Sequence, residues 1–261
     1  MTALLPSWCW ATRPYRLELR IQIIDFRPPA AGFVLVLLQA IAHAQAPNSV
    51  DPGRVCVTNG EISSQRGKEF LISSSTSRAV AKKSDGDFNA LEFVYLGPTP
   101  IETPLASGRI ARQLGLSLRV RDTCNLVYVM WSTEPGAGIE ISSKNNPGKS
   151  THAQCGVKGY KVIYNSKPGD IAAIRIGEPR RLEASMDGRV LTVRIDGREV
   201  WQGDVGAEAG KTSGYSGIRT DNVQMRFRWL TSAPSEADGG SKPWPSALHC
   251  TPVRSRGSAG S

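Results

Sequence analysis

Apolar and polar residues alternate along several short runs of the chain, as they do in strands with one buried face. Two Asp-Gly pairs, at 187–188 and 196–197, bracket the clearest run, whose alternate apolar positions are Leu191, Val193 and Ile195. Asp-Gly tolerates the positive φ angles that tight hairpin turns require. The sequence therefore predicts a meander of three strands, at 181–186, 189–195 and 198–204.

Other runs extend this pattern. Apolar residues alternate at Leu114, Leu116, Leu118 and Val120, and again at Val223, Met225, Phe227 and Trp229. The run 126–131 is apolar throughout, as expected of a central strand that is buried on both faces. Shorter candidate strands are 91–96, 139–142, 160–164 and 172–176. Many short strands with almost no helical periodicity predict an all-β fold, a two-sheet antiparallel β-sandwich or jelly roll.

The first 44 residues have the pattern of a secretory signal peptide. Residues 30–41 are apolar and uncharged, Arg27 precedes them, and A-x-A exits follow at 42–44 and 44–46. We expect cleavage after Ala44, which gives a secreted or periplasmic protein without a membrane span. The alternatives are an uncleaved anchor or a buried core segment, although the run is shorter than the roughly 20 residues of a membrane span.

The chain therefore divides into three parts. Residues 1–44 are the signal peptide, with an N-terminal extension that indicates a start codon placed upstream of the true one. Residues 50–231 form the β-sandwich domain. Residues 232–261 are rich in Ser, Pro and Gly, as linkers are, and Cys250 is expected to tie part of this tail back onto the domain.

Four cysteines follow the expected cleavage point: Cys56, Cys124, Cys155 and Cys250. An even number in an oxidising compartment predicts two disulfides, for which three pairings are possible. We favour one bridge between Cys124 and Cys155 and a second that joins the ends of the domain, between Cys56 and Cys250. A zinc site is the alternative, but the chain has no C-x-x-C or H-x-x-x-H pair, so we expect no metal and no cofactor.

The composition is that of a globular protein with a basic balance. Hydrophobic residues make up 40% of the chain, and 32 Lys and Arg against 23 Asp and Glu give a net charge of +9. These values exclude a disordered chain, a collagen and a multi-span membrane protein. The positive charge is spread along the strands rather than clustered, so nucleic acid is not an expected partner.

The stretch 181–229 resembles the concanavalin A-like lectin and glucanase superfamily, in its laminin-G-like and family-16-hydrolase-like branches. It contains a V-x-I-D-G-x-x-V strand pair at 193–200, followed by a Gly-rich turn and a closing strand at 214–229. The resemblance over 91–176 is looser. It implies the β-sandwich fold but no single function, because this fold hosts lectins, hydrolases, lyases and adhesion modules.

The catalytic motifs of such enzymes are largely missing, so we assign no catalytic residue. The E-x-D-x-x-E triplet of family-16 glucanases is absent, and its nearest counterpart is a lone Glu140. Alginate lyases of this fold carry a Q-[IV]-H sequence, which is absent, and a Tyr-containing strand, which 160–164 resembles. Glu140, His152 and Asp221 are weak candidates. Alternatively, Glu140 is a solvated surface residue, His152 forms hydrogen bonds within a loop, and Asp221 is an Asx-turn residue.

Without a catalytic motif, the function class that remains is ligand binding. The strand faces opposite the apolar ones carry Arg119, Arg121, Arg194, Arg226 and Arg228, and Trp131 and Tyr160 are candidate stacking surfaces for sugar rings. If the strands share a sheet, these arginines form a cationic wall that binds carboxylate or sulfate. The alternative is that the arginines are solvated and the aromatic residues lie in the core.

These observations predict an exported, non-catalytic carbohydrate-binding or adhesion-type module for an anionic polysaccharide of the extracellular space or cell envelope. The first alternative is a diverged glycoside hydrolase or polysaccharide lyase of the same fold. The second alternative is a structural envelope protein without a small ligand, which a large exposed apolar patch would favour.

Overall fold

The computed structural model describes residues 47–134, 136–167, 169–233, 244–245 and 248–255. The expected signal peptide and much of the expected tail lie outside the described residues. The strands are β1 Asn48–Ser49, β2 Val55–Asn59, β3 Ser63–Ser64, β4 Glu69–Ile72, β5 Thr76–Ala81, β6 Phe88–Pro98, β7 Arg112–Asp122, β8 Asn125–Glu134, β9 Gly138–Asn145, β10 Tyr160–Asn165, β11 Pro179–Asp187, β12 Val190–Ile195, β13 Arg198–Asp204, β14 Tyr215–Asp221, β15 Val223–Thr231 and β16 Arg254–Ser255. Two short helices are α1 His152–Cys155 and α2 Ala207–Lys211.

The strands form two sheets that pack as a β-sandwich, which confirms the predicted all-β class. The nine-stranded sheet has the order β13-β12-β11-β6-β15-β4-β3-β16, with β1 added beside β15. The seven-stranded sheet has the order β10-β9-β8-β7-β14-β5-β2. All pairings are antiparallel except that of β16 with β3. Because chain neighbours such as β14 and β15 belong to different sheets, the topology is that of a jelly roll.

The predicted meander is confirmed as β11, β12 and β13, with Asp196 in the left-handed region (φ 51°) at the second turn. The candidate strand at 172–176 is wrong. This segment is irregular, and Ile171 and Ile174 are buried while the residues between them are exposed. A spacing of three residues between buried side chains suits a turning loop and does not fit a period of two.

The inward faces of the two sheets form one apolar core. The predicted alternation holds in β15 and in β7 up to Leu118, and β8 is buried on both faces as expected. Val120 is an exception to the predicted face. Arg119 adopts a positive φ of 51°, and the pairing register of β7 shifts at this point. This β-bulge turns Val120 to the outer face, where it contacts a second apolar cluster that includes Tyr128 and Tyr215.

A buried amide joins the two sheets through the core. Asn89 of β6 is fully buried, and its Nδ2 donates to the carbonyl oxygens of Ser117 (2.9 Å) and Gly217 (2.6 Å) on the opposite sheet. Its Oδ1 accepts from Nε1 of Trp229 at 2.7 Å. Every donor and acceptor of the side chain is thereby paired, which is the condition for a polar group to be stable in an apolar core.

Two disulfides, Cys56–Cys250 and Cys124–Cys155, form the pairing favoured from the sequence. The same bonds remove the thiolates that the zinc alternative required. Cys56–Cys250 fixes the C-terminal segment against β2, and Val57 and Thr251 exchange two backbone hydrogen bonds beside it. None of the helices in the described part of the chain has the length and hydrophobicity of a membrane span.

Described residues of the C-terminal segment pack on the outer face of the seven-stranded sheet near the start of β14. Leu248 is buried in the outer apolar cluster, and the ring of Trp244 lies 5.0 Å from that of Tyr215. Tyr215 marks the start of β14. At the other end of β14, around Asp221, the same face holds a groove.

Replacing Asn89 with alanine is expected to lower the free energy of unfolding by about 3 kcal/mol, because two backbone carbonyls and the Trp229 indole lose their partner in the core. Urea denaturation followed by tryptophan fluorescence measures the change. Asn165→Ala at the exposed end of β10 is the matched control, and we expect a change within about 0.5 kcal/mol. Equal losses in the two variants would contradict a bridging role for Asn89.

Candidate ligand-binding groove

A groove of about 380 Å³ crosses the outer face of the seven-stranded sheet at the Asp221 end of β14. Strand alternation positions its floor, because residues such as Ile218 point into the core while Arg219 and Asp221 point outward. The loop 104–109 forms one wall, and His152 of α1 together with Val157, which follows α1, contributes to another. Side chains from six strands, β5, β7, β8, β9, β10 and β14, reach the groove.

A carboxylate lies at the centre of the floor. Asp221 is completely buried, and its Oδ2 accepts from Nε of Arg219 and Nε2 of Gln113, both at 2.8 Å. The guanidinium of Arg78 lies 3.7 Å from the other carboxylate oxygen, and its side chain is 30% exposed. Burial is the largest influence on the pKa of Arg219 and lowers it, but the Asp221 carboxylate, Tyr128 and Tyr160 together reverse this and the net shift is upward, so Arg219 remains charged.

Aromatic rings hold the cations in place. The guanidinium of Arg219 lies 5.3 Å from the ring of Tyr128, and its Nη1 donates to the hydroxyl of Tyr160. The two tyrosine rings stack at 6.0 Å, and Nζ of Lys144 lies 4.6 Å from the Tyr160 ring. Lys144 also donates to the carbonyl of Thr123. These contacts place two cations around one aromatic pair.

Three arginines against two carboxylates give the groove lining an excess of positive charge. Burial lowers the pKa of His152, and the positive charges of Lys144, Arg78 and Arg219 lower it further. Burial also lowers the pKa of Lys144 to about 8, with added repulsion from Arg219 and Arg78. Because the charges of Arg78, Arg219 and Lys144 lower the pKa of neighbouring basic groups, these side chains share one electrostatic environment.

Asn222 anchors the loop wall. This residue follows β14 in the left-handed region (φ 56°) and is fully buried. Its Oδ1 accepts from the backbone of Thr103, and its Nδ2 donates to the carbonyls of Thr103 and Ala111. Both ends of the loop are thereby fixed, and its exposed tip carries Arg109 into the groove lining.

The structure brings together four residues that the sequence analysis named separately. Glu140, His152, Tyr160 and Asp221 all line the groove. Asp221 was expected in a turn, but it is the last residue of β14, and Asn222 forms the turn. Among the described residues, no group of three or more His, Cys, Asp and Glu side chains is arranged to hold a metal ion.

The expected cationic wall does not form. Arg119 and Arg121 belong to the seven-stranded sheet, whereas the other three arginines lie on the outer face of the nine-stranded sheet. There each faces a carboxylate, in the pairs Arg194–Glu199, Arg226–Glu69 and Arg228–Glu92. Strand alternation alone does not reveal which strands share a sheet, and this is why the prediction failed.

Two expected binding residues are structural. The bulge in β7 turns the Arg119 side chain towards Asp87, with which it pairs, and its Nη1 donates to the carbonyls of Gly188 and Gly210. Trp131 is completely buried between the sheets, and its ring packs edge-on against Phe93. Neither side chain offers a surface to a ligand. Arg121 is exposed at the end of β7 and does not line the groove.

The cations that do line the groove were missed from the sequence. Arg78 and Arg219 lie on strands β5 and β14, which pair residue for residue at this position. Their signal in the sequence was weak, because each is a lone arginine in a short strand. Lys144, which contacts the Tyr160 ring but is not part of the groove lining, was missed because the predicted strand ended too early, at residue 142.

A second cavity, of about 530 Å³, lies near the edge strands β10 and β13. Arg180 and Asp196 of its lining pair with each other, Glu199 pairs with Arg194 outside the lining, and Asp170 accepts from the backbone of Lys167. Three carboxylates and two arginines line this cavity, so its charge suits an anion less well than the three arginines and two carboxylates of the groove do.

Several solved structures resemble this chain in fold. The carbohydrate-binding module CBM66 from Bacillus subtilis superposes with a TM-score of 0.49 and 14% identity, over 71% of this chain and 95% of that chain. A putative glycosyl hydrolase from Parabacteroides distasonis gives 0.44 and 10%, over 71% and 91%. The galectin LEC-6 from Caenorhabditis elegans gives 0.39 and 9%, over 62% and 95%.

The resemblance named from 181–229 implied a two-sheet antiparallel β-sandwich, and the sheet order of this structure agrees with that architecture. No protein-family model and no curated protein matches the chain. Similarity at these identities concerns the fold alone, so the function has to be argued from the groove.

The depressed pKa of Lys144 predicts a pH dependence of stability. The ordinary lysine pKa of 10.5 applies to the unfolded chain and about 8 to the folded protein, so the unfolded state binds more protons between these values. The free energy of unfolding should therefore rise from pH 8 towards pH 10. Urea denaturation across this range should show a flatter profile for Lys144→Met. A Lys144 Cε resonance that titrates near 10.5 would contradict the shift.

Proposed function

We propose that the chain is an exported module that binds an anionic glycan in the groove of the seven-stranded sheet. The observation that carries the proposal is that Arg78, Arg109 and Arg219 line one groove together with Tyr160, whose hydroxyl accepts from Arg219. Two acidic groups accompany them, Glu140 and Asp221, so the cations are in excess. Guanidinium groups bind carboxylate and sulfate oxygens with charge-assisted hydrogen bonds.

The size and surface of the groove suit a short segment of a glycan. Its volume of about 380 Å³ lies within the roughly 300–1,000 Å³ of small-ligand sites. Tyr160 is partly exposed and supplies an aromatic surface against which a sugar ring can pack. The two disulfides favour a secreted or periplasmic location, and we infer that the partner is an extracellular or cell-envelope polysaccharide.

Glycoside hydrolysis is poorly supported by the same groove. A hydrolase needs two carboxyl groups that flank the scissile bond and exchange protons with it. Glu140 lies in the groove, but Asp221 is completely buried and already accepts from Arg219 and Gln113. A carboxylate held in this way positions the arginine and is not free to attack a sugar carbon.

A polysaccharide lyase is the second candidate. Such an enzyme abstracts the proton beside a uronate carboxyl group and then protonates the leaving oxygen. His152 has a lowered pKa and is therefore neutral at pH 7, as a general base must be, and the Tyr160 hydroxyl lies beside Arg219. These two groups favour elimination over hydrolysis if the protein is an enzyme.

Replacing Arg78 with glutamine is expected to weaken binding of an anionic oligosaccharide about 10-fold or more, because a charge-assisted contact is lost. Arg228→Gln, on the opposite sheet, should bind like the wild type. Calorimetry on a panel of acidic and neutral oligosaccharides measures the affinities at low and high salt. The affinity for the acidic members should fall as salt increases. Binding that is confined to neutral glycans or is independent of salt would refute the cationic groove.

Binding without turnover is expected if the protein is a module. Incubation with the acidic polysaccharide that binds should release no unsaturated product, which ultraviolet absorbance detects, and no new reducing ends. The lyase alternative predicts unsaturated product that His152→Ala reduces by at least about 100-fold, since general-base catalysis contributes roughly 10²–10⁴ in rate. Release of saturated products with new reducing ends would instead support the glycoside hydrolase alternative.

A further inference from the structure

One oxygen of the Asp221 carboxylate has no hydrogen-bond partner. Oδ2 accepts two hydrogen bonds, whereas Oδ1 is buried and finds no partner among the residues that the structure describes. Nη2 of Arg78 lies 3.7 Å from Oδ1, beyond hydrogen-bond distance. Buried carboxylate oxygens are normally paired, so an unpaired one in the lining of a groove is a position that a ligand can complete.

The two groups at this position have opposite requirements. Oδ1 of Asp221 is an acceptor and needs a donor, whereas the Arg78 guanidinium is a donor and needs an acceptor. A sugar hydroxyl satisfies both, because its O–H donates while its oxygen accepts. A carboxylate or sulfate oxygen offers acceptors alone and is repelled by the negative charge of Asp221. The pair therefore discriminates between a hydroxyl and an anionic oxygen.

We propose that Asp221 Oδ1 and Arg78 form a hydroxyl-selective subsite inside the cationic groove. The inference rests on the proposed function and deepens it, because it defines the ligand as a sugar that carries a free hydroxyl beside its anionic group. Exposed Arg109 and the remaining donors of Arg78 take the anion, and the subsite takes the hydroxyl. Polyanions without hydroxyls then bind weakly despite their charge.

Affinities for two kinds of probe test this subsite. Tetramers of galacturonate, mannuronate and glucuronate carry both groups, and a four-unit acrylate oligomer carries the same number of carboxylates without hydroxyls. Wild-type protein should bind at least one uronate tetramer 10-fold or more tightly than the acrylate, since a hydrogen bond to a charged group supports a preference of about this size. Asp221→Asn should reduce this preference to less than about 3-fold.

Asp187→Asn is the matched control, because it removes the same charge from an exposed turn of the nine-stranded sheet, and it should keep the wild-type preference. A ligand-side test avoids any effect of Asp221→Asn on folding. The uronate tetramer that binds, with its hydroxyls methylated, should bind wild type as weakly as the acrylate does. Unchanged affinity for the methylated sugar, or an intact preference in a folded Asp221→Asn, would overturn the subsite and leave the proposed function standing. Failure of wild type to bind any acidic oligosaccharide of the calorimetry panel, the uronates included, would overturn the proposed function itself.

Discussion

The amide of Asn89 ties the two sheets together directly beneath the groove. It binds the carbonyls of Ser117 and Gly217, which lie on the neighbouring strands β7 and β14. The same two strands carry Gln113, Arg219 and Asp221 on their outward side. A contact in the core therefore fixes the strands whose other face forms the binding floor. Large apolar side chains fill the rest of the interlayer space but are less directional than a hydrogen-bonded amide.

The two outer faces use arginine in different ways. On the nine-stranded sheet, cross-strand glutamates neutralise Arg194, Arg226 and Arg228, and the surface remains solvated and balanced. On the seven-stranded sheet, a single buried carboxylate serves both Arg78 and Arg219. The excess positive charge is therefore concentrated where the surface is concave, and a low-dielectric wall strengthens its effect there.

Period-two alternation predicted the class of fold and most strand faces, because a strand in a sandwich must bury alternate residues. It failed at Arg119, where a bulge reversed the face of Val120, since one residue with positive φ leaves no trace in hydrophobicity. Glu140, His152 and Asp221 were each found as isolated candidates. Their convergence depends on the order of strands in the sheet, which is a property of long-range pairing and is absent from local sequence.

The disulfide between Cys56 and Cys250 closes a loop over 194 positions of the chain, which contains β3 to β15. Mechanical tension applied through the polypeptide beyond these two cysteines would pass along the covalent bond and bypass the hydrogen-bonded strands. Strands β3 to β15 are thus shielded from tension between the two ends of the chain, whereas β1 and β16 lie outside the loop and would bear it.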